Sequence, residues 1–142
     1  MKVLLDANIL LTFITGRMDR YSQECEQVIR LCADGSLDGY VAFHTLSIIW
    51  YVTKNLPIEN RREWIKQICT ILTVASADNQ AILTAAENLA FKDFEDNLQD
   101  CCAIRAGAAY IITANVKDFY GHSKVKAISP DELLQIIVEK KL

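Results

Sequence analysis

Short apolar runs alternate along this chain with longer segments of helical periodicity, and this alternation is the strongest constraint on its fold. Strand-like runs occur at residues 2–5, 39–43, 72–75, 109–113 and 125–128. Strands that alternate with helices form parallel sheets built from βαβ units. The pattern therefore predicts an α/β fold with three layers, α/β/α, around a central, mostly parallel sheet of four to five strands.

The length and composition are those of one ordinary domain. The chain has 142 residues, of which 51% are hydrophobic, and only 5 Gly and 2 Pro. These values indicate a packed core with few long loops, and we expect a single domain over residues 1–142. The net charge of −3 gives no global basic field that would attract nucleic acid. Any polyanion would have to be bound by local basic residues or by a metal ion.

Cysteine usage and hydropathy bear on the compartment. The 5 Cys are odd in number and have no zinc-site spacing, which is typical of reduced thiols in a cytosolic protein. No signal peptide opens the sequence, and no apolar run approaches the roughly 18 residues of a membrane helix. We expect a cytoplasmic protein that has no membrane partner.

Acidic and amide residues follow several of the predicted strands. Asp6 comes directly after the first run, Asn115 and Asp118 follow a later one, and Asp78 follows the run at 72–75. Ligands of open α/β sheets bind outside the carboxyl ends of the strands. Carboxylates collected there repel each other unless a cation joins them. The pattern predicts a divalent-metal site, which points to phosphate chemistry.

A second group of acids opens the helix predicted over residues 94–106. Asp93, Asp96 and Asp100 are spaced i, i+3 and i+7, which puts them along one face of that helix. Acids at a helix start are also favoured by the dipole alone, and a solvated face is the simpler interpretation of Asp93 and Glu95. For Asp96 the metal-binding interpretation is favoured, because the chain offers further acids at the strand ends.

Three segments, in this order and spacing, resemble the PIN domain family, the PilT N-terminal ribonuclease fold that includes VapC-type toxins of bacterial toxin–antitoxin pairs. The segments are residues 3–11, 94–103 and 111–119, and the resemblance extends over essentially the whole chain. It implies a PIN-like fold and a Mg²⁺- or Mn²⁺-dependent endoribonuclease that hydrolyses RNA phosphodiester bonds. It also implies an antitoxin protein as a possible partner.

The resemblance assigns site residues position by position. Asp6 matches the first family acid, Asp96 matches the acid of the late helix, and Asn115 with Asp118 matches the motif after a strand. It implies catalysis by Asp6, Asp96 and Asp118, and a metal ion held by these three and Asn115. The residues expected to contact the RNA substrate are Lys117, Asn8 and Thr113.

One family acid is missing. The family carries Glu on the helix after the second strand, and here that position holds Ile48, with no acid anywhere from residue 39 to residue 58. Two interpretations stay open: a nuclease of attenuated activity, or a PIN-like RNA- or protein-binding module that has lost efficient catalysis. An aspartyl-phosphate phosphatase is disfavoured, because it needs a second Asp where this chain has Asn8.

The helix predicted over residues 45–55 is apolar on most sides, and we expect it to be deeply packed. Apolar surface in excess of what a monomer core can bury is typical of subunit interfaces. A homodimer is therefore expected.

Overall fold

The computed structural model describes residues 1–141. The strands are β1 (Lys2–Leu5), β2 (Asp38–Ala42), β3 (Thr73–Ala75), β4 (Tyr110–Ile112) and β5 (Lys126–Ile128). The helices are α1 (Ala7–Thr15), α2 (Ser22–Ala33), α3 (Phe43–Val52), α4 (Ile58–Ile71), α5 (Asn79–Glu87), α6 (Phe94–Ala106) and α7 (Pro130–Lys141), and a short 3-10 helix, Val116–Asp118, follows β4. Among these described helices, none combines the length and the apolar character needed to cross a membrane.

The strands form one sheet in the order β3-β2-β1-β4-β5, and all neighbouring pairs are parallel. On the central strand, Leu4 lies opposite Tyr40 of β2 and Ile111 of β4. Strands β2 and β3 follow on one side of β1, and the chain then returns to place β4 and β5 on the other side. This reversal makes a topological switch point between β1 and β4, where ligands of such sheets bind. The predicted α/β fold with a parallel sheet of up to five strands is confirmed.

The sheet separates two buried clusters. Val3 and Leu5 of β1 belong to the cluster that includes core residues of α1, α2 and α7. Leu4, on the opposite face of the same strand, packs with Cys102 and Ala103 of α6, and α5 packs on α6. Because successive strand residues point to opposite faces, a strand that is apolar at every position can serve two cores. Helices therefore cover both faces of the sheet, as the predicted three-layer arrangement requires.

Helix α3 is less buried than its composition predicts. Only Thr45 and Ile49 of this helix are buried, whereas Phe43 is 68% exposed and Tyr51 is 66% exposed. The expectation that this helix is deeply packed is wrong. The helix meets α1, α4 and β2, and one face is sufficient for those contacts. Its other apolar side chains remain at the surface of this chain.

Candidate active site at the switch point of the sheet

Asp6 stands at the carboxyl end of the central strand and begins α1. Its backbone N–H donates to the Ile112 carbonyl at 2.9 Å, so the β1–β4 pairing continues to the point where the chain turns into the helix. Its side chain accepts from the Ala7 N–H as the N-cap of α1. Strand pairing and helix capping together fix this carboxylate at the switch point.

Four donors hold the buried carboxylate of Asp6. Oδ1 accepts from the Ala7 N–H at 2.8 Å and from Gln99 Nε2 at 3.1 Å. Oδ2 accepts from Thr113 Oγ1 at 2.8 Å and from Asn8 Nδ2 at 3.2 Å. Burial raises the pKa of Asp6, and the hydrogen bonds from Thr113, Ala7 and Asn8 offset only part of that rise. The carboxylate is therefore held in one orientation with both oxygens already accepting hydrogen bonds.

Asn8 and Thr113 brace the loop after β4 against the start of α1. Asn8 donates to Thr113 Oγ1 at 3.2 Å and accepts from the Ala114 N–H at 3.1 Å. Thr113 Oγ1 also accepts from the Asn115 N–H at 3.0 Å. Both side chains, which the sequence predicts to contact substrate, serve in this structure to orient Asp6 and the loop that carries Asn115.

Asp6, Asp96 and Asp118 line one cavity of about 250 Å³, together with Asn115. The structure thus brings together the four residues predicted to hold a metal ion. It adds acids that the sequence pattern assigned to a solvated helix start, and it adds a cation from the loop between α1 and α2. These further lining residues are Asp93, Glu95 and Arg17.

The cavity is electrostatically unfavourable for a further negative charge. The pKa of Asp96 is raised to about 7, first by burial and then by the neighbouring charges of Asp6, Asp93, Asp118 and Glu95. Among residues 1–141 no basic side chain forms an ion pair with any of these acids, since the ion pairs found there are elsewhere. Unneutralised carboxylates at a sheet switch point are a site for a cation or for a transferable proton.

The carboxylates line one cavity but do not form a complete set of direct metal ligands. Within the described residues, no three acidic, His or Cys side chains are grouped closely enough to hold a metal ion directly. Mg²⁺ commonly keeps several waters and uses one or two carboxylates. The donor set of carboxylate and amide oxygens around this cavity therefore fits a hydrated Mg²⁺ or Mn²⁺ ion that reaches several of its ligands through water.

Gln99 is a site residue that was not predicted from the sequence. It is fully buried, and its Nε2 donates both to Asp6 Oδ1 and to Thr45 Oγ1 of α3, at 2.9 Å for the latter. Its Oε1 is buried without a hydrogen-bond partner among the described residues. A signal was present in the sequence, because Gln99 follows Asp96 by three residues and so lies on the neighbouring helical surface.

Helix α3 contributes a hydroxyl to this network and no charge. Thr45 reaches Asp6 only through Gln99. Ile48, which the resemblance assigns to the position of the family Glu, is half-buried and packs against the apolar cluster around Val3 and Leu5. It is not among the residues that line the acidic cavity.

Two acids noted in the sequence lie outside the site. Asp100 is buried and accepts from the backbone N–H groups of Lys124 and Val125, both at 3.0 Å. Helix α6 runs away from the carboxyl edge of the sheet. At a rise of about 1.5 Å per residue, Asp100 lies one turn, roughly 6 Å, beyond Asp96. Its role is to hold the segment that leads into β5.

Asp78 is remote from the cavity because the strand before it, β3, lies at an edge of the sheet. Its side chain caps α5 by accepting from the Ala81 N–H at 2.9 Å. It also lies 3.8 Å from the Arg105 guanidinium. An acid after a strand thus joins the site only when that strand borders the switch point.

Comparison with known proteins identifies the family of the chain. The family model described as PIN domain matches residues 2–117 of the chain. No curated protein sequence matches it.

Solved structures similar to this chain include three complexes. One is VapBC2 from Rickettsia felis bound to a DNA fragment from their promoter, with a TM-score of 0.67, 16% identity, and coverage of 91% of this chain and 98% of the other. A second is FitAB bound to an IR36 DNA fragment, with a TM-score of 0.67, 14% identity, and coverage of 90% and 94%. A third is VapBC-1 from nontypeable Haemophilus influenzae, with a TM-score of 0.62, 19% identity, and coverage of 92% and 99%. At these identities the likeness is one of fold.

Proposed function

The chain belongs to the PIN domain family, and we propose that it is a Mg²⁺- or Mn²⁺-dependent endoribonuclease, the toxin of a toxin–antitoxin pair. The observation that carries this proposal is the shared cavity of Asp6, Asp96 and Asp118 at the switch point. Carboxylates that raise one another's pKa destabilise the fold, and a structural role alone does not require their convergence. A cation that binds these carboxylates together with a phosphodiester would account for their convergence.

The proposed reaction is hydrolysis of an RNA phosphodiester. A water oxygen forms a new bond to phosphorus and gives up a proton to solvent, while the bond from phosphorus to the 3′ oxygen breaks and that oxygen takes up a proton from solvent. The products are a 5′-phosphate and a 3′-hydroxyl. When bound, the divalent ion would lower the pKa of water and neutralise charge that develops on the phosphate. The proposed ligands are Asp6, Asp96, Asp118 and Asn115, with water completing the set.

The three aspartates differ in hydrogen bonding and exposure, and we propose a different role for each. Both oxygens of Asp6 already accept hydrogen bonds, so Asp6 is suited to fixed electrostatic support. The carboxylate of Asp96 receives no side-chain or backbone hydrogen bond within the described residues, so its oxygens are free to bind the ion and to orient the attacking water. Asp118 is exposed at the cavity mouth, where a substrate phosphate would approach.

The test is cleavage of a mixed pool of structured RNA with Mg²⁺ or Mn²⁺, with the full chain and with Asp96→Asn. We expect metal-dependent cleavage that falls by about 100-fold or more in the variant, as is common when a charge that acts on the transition state is removed. Asp78→Asn is the matched control, because it makes the same change outside the cavity and Asn also caps helices well. Cleavage by Asp96→Asn at the wild-type rate would refute the proposed site.

A second candidate function rests on Ile48. Because the resemblance assigns the family Glu to a position that here holds a half-buried apolar side chain packed against the core, the site has one carboxylate fewer than the family pattern. The alternative is a catalytically weakened module that binds RNA or protein. Metal-dependent binding of RNA without cleavage in the same assay would favour it.

The proposed partners are RNA, an antitoxin protein and a second copy of this chain. The complexes VapBC and FitAB among the similar structures support the antitoxin. The exposed apolar side chains of α3, including Phe43 and Tyr51, support a homodimer that buries this helix. Residues 1–142 are proposed to act as a single domain.

A further inference from the structure

A second cavity adjoins the acidic one and differs from it in charge. It has a volume of about 280 Å³ and is lined by Lys92, Asp93, Asp96, Lys117, Asp118 and His122. Asp93, Asp96 and Asp118 line both cavities. These three acids therefore form a common wall between an acidic compartment and one that also carries two lysines and a histidine.

The two lysines of the second cavity are available for a ligand. Neither Lys92 nor Lys117 forms an ion pair with a residue in the described part of the chain, although three carboxylates line the same cavity. Both side chains are exposed. In a chain with a net charge of −3, two unpaired ammonium groups beside the candidate site are a local feature and not the consequence of a basic surface.

His122 contacts a pair of phenylalanine rings. Its ring lies 5.7 Å from the ring of Phe91, and Phe91 meets the buried Phe119 edge to face at 6.3 Å. Gly121, with a φ of 75°, turns the chain immediately before His122 in a conformation that side chains disfavour. This contact places the imidazole of the exposed His122 at the cavity, where it can donate a hydrogen bond to an anion.

We propose that this second cavity is a phosphate subsite for single-stranded RNA, in which Lys92, Lys117 and His122 bind a backbone phosphate next to the one that is cleaved. The inference rests on the proposed ribonuclease function and adds the path of the strand across the site. The RNA strand crosses the common wall of Asp93, Asp96 and Asp118. The reacting phosphate lies in the acidic cavity, and the neighbouring phosphate lies in the second cavity.

The size and chemistry of the cavity fit this ligand. A volume of about 280 Å³ lies just below the roughly 300–1,000 Å³ of small-molecule sites, which suits one phosphate with its sugar. Lysines contact phosphate as point charges without reading a base. The subsite therefore adds affinity and register for any RNA sequence, while cleavage specificity would arise elsewhere along the strand.

The experiment measures binding of a fluorescein-labelled single-stranded RNA of about 12 nucleotides by fluorescence anisotropy over a range of salt concentrations. Binding is measured for the full chain in EDTA, and again with Mg²⁺ in an Asp96→Asn background. The test variants are Lys92→Gln and Lys117→Gln, and Lys92→Arg retains the charge. Lys2→Gln is the matched control, because Lys2 lies at the amino end of β1 and Asp6 follows the carboxyl end of the same strand.

For single strands, the slope of log K against log salt falls in magnitude by about 0.7 for each phosphate that the protein no longer neutralises. We expect that decrease in Lys92→Gln and in Lys117→Gln, a wild-type slope in Lys92→Arg, and no change in Lys2→Gln. His122→Ala should weaken binding with the slope nearly unchanged. Wild-type slopes in both glutamine variants, or no RNA binding in either condition, would overturn the subsite.

The outcome for the subsite is separable from that for the nuclease. Lysine-dependent binding by a protein that cleaves no RNA with any metal would retain the subsite and refute the proposed enzyme. Metal-dependent cleavage with unaltered salt slopes would retain the enzyme and refute the subsite.

Discussion

Replacing Asp96 by Asn should make the metal-free protein more stable at alkaline pH. The pKa of Asp96 rises from its ordinary value of 3.8 to about 7 in the folded chain. Between these values the folded protein binds a proton that the unfolded chain has released, so the free energy of unfolding falls as pH rises. Asn carries no charge at any of these pH values, so the variant does not lose stability in this way as pH rises.

The magnitude follows from the shift after an allowance for solvent. A rise of this size corresponds to at most about 4 kcal/mol at 1.36 kcal/mol per pKa unit. Asp96 is only half-buried, and water screens its repulsion from Asp6 and Asp118. We therefore expect Asp96→Asn to be more stable than wild type by about 1–2 kcal/mol above pH 7, with the difference vanishing near pH 4.

Urea unfolding in EDTA, at about pH 4.5 and about pH 8, measures this difference. Asp78→Asn, which lies outside the cavity, should show no such pH-dependent gain. Addition of Mg²⁺ at the higher pH should stabilise wild type more than Asp96→Asn, because a ligand stabilises the state that binds it. An Asp96→Asn variant that is equally stable to wild type at both pH values would refute the argument that these carboxylates repel one another.

The remaining predictions concern the support of the site and the surface of α3. Gln99→Leu removes a donor to Asp6 worth about 1.4 kcal/mol, so RNA cleavage should fall about tenfold while calorimetry shows weaker Mn²⁺ binding; unchanged values of both would mean that Gln99 does not position Asp6. Ile48→Glu and Ile48→Gln should bind Mg²⁺ with equal affinity in a calorimetric titration, because Ile48 packs on the apolar cluster and does not line the acidic cavity; a higher affinity for Ile48→Glu would show that this position faces the metal. Tyr51→Glu should convert a dimer into a monomer in sedimentation analysis, since it places a charge on the exposed apolar side of α3; a wild-type sedimentation profile would locate the interface elsewhere.

Much of the site could be predicted because parallel strands align their carboxyl ends. Once the sequence indicated strands before Asp6 and before Asn115, adjacency at one edge of the sheet was the expected result. The sequence did not reveal the strand order, and this is why Asp78 was grouped with the other acids although its strand lies at the sheet edge. Strand order depends on packing between distant segments, which local periodicity does not encode.

The hydrogen-bonded support of Asp6 was less predictable for a related reason. Charge alone predicts that Asp6→Asn and Asp96→Asn are equally harmless to stability, since each removes one repelling carboxylate. The structure separates them, because the carboxylate of Asp6 accepts four hydrogen bonds. An amide there would turn one acceptor into a donor that faces other donors, which costs about 1–3 kcal/mol. Such a difference depends on contacts such as that of Gln99, which lies 93 positions away in the chain.

Ile48 brings no charge to the cavity, and this limits how much cation charge the site can balance. Two divalent ions need carboxylates that bridge or surround both of them, and here Asp6 already shares its oxygens with protein donors while α3 contributes only the Thr45 hydroxyl through Gln99. One hydrated ion beside Asp96 and Asp118 needs fewer carboxylate ligands than two ions do. We therefore expect calorimetric titration of Mn²⁺ to reach saturation at one ion per chain. Saturation at two ions would show that waters or the substrate replace the missing carboxylate.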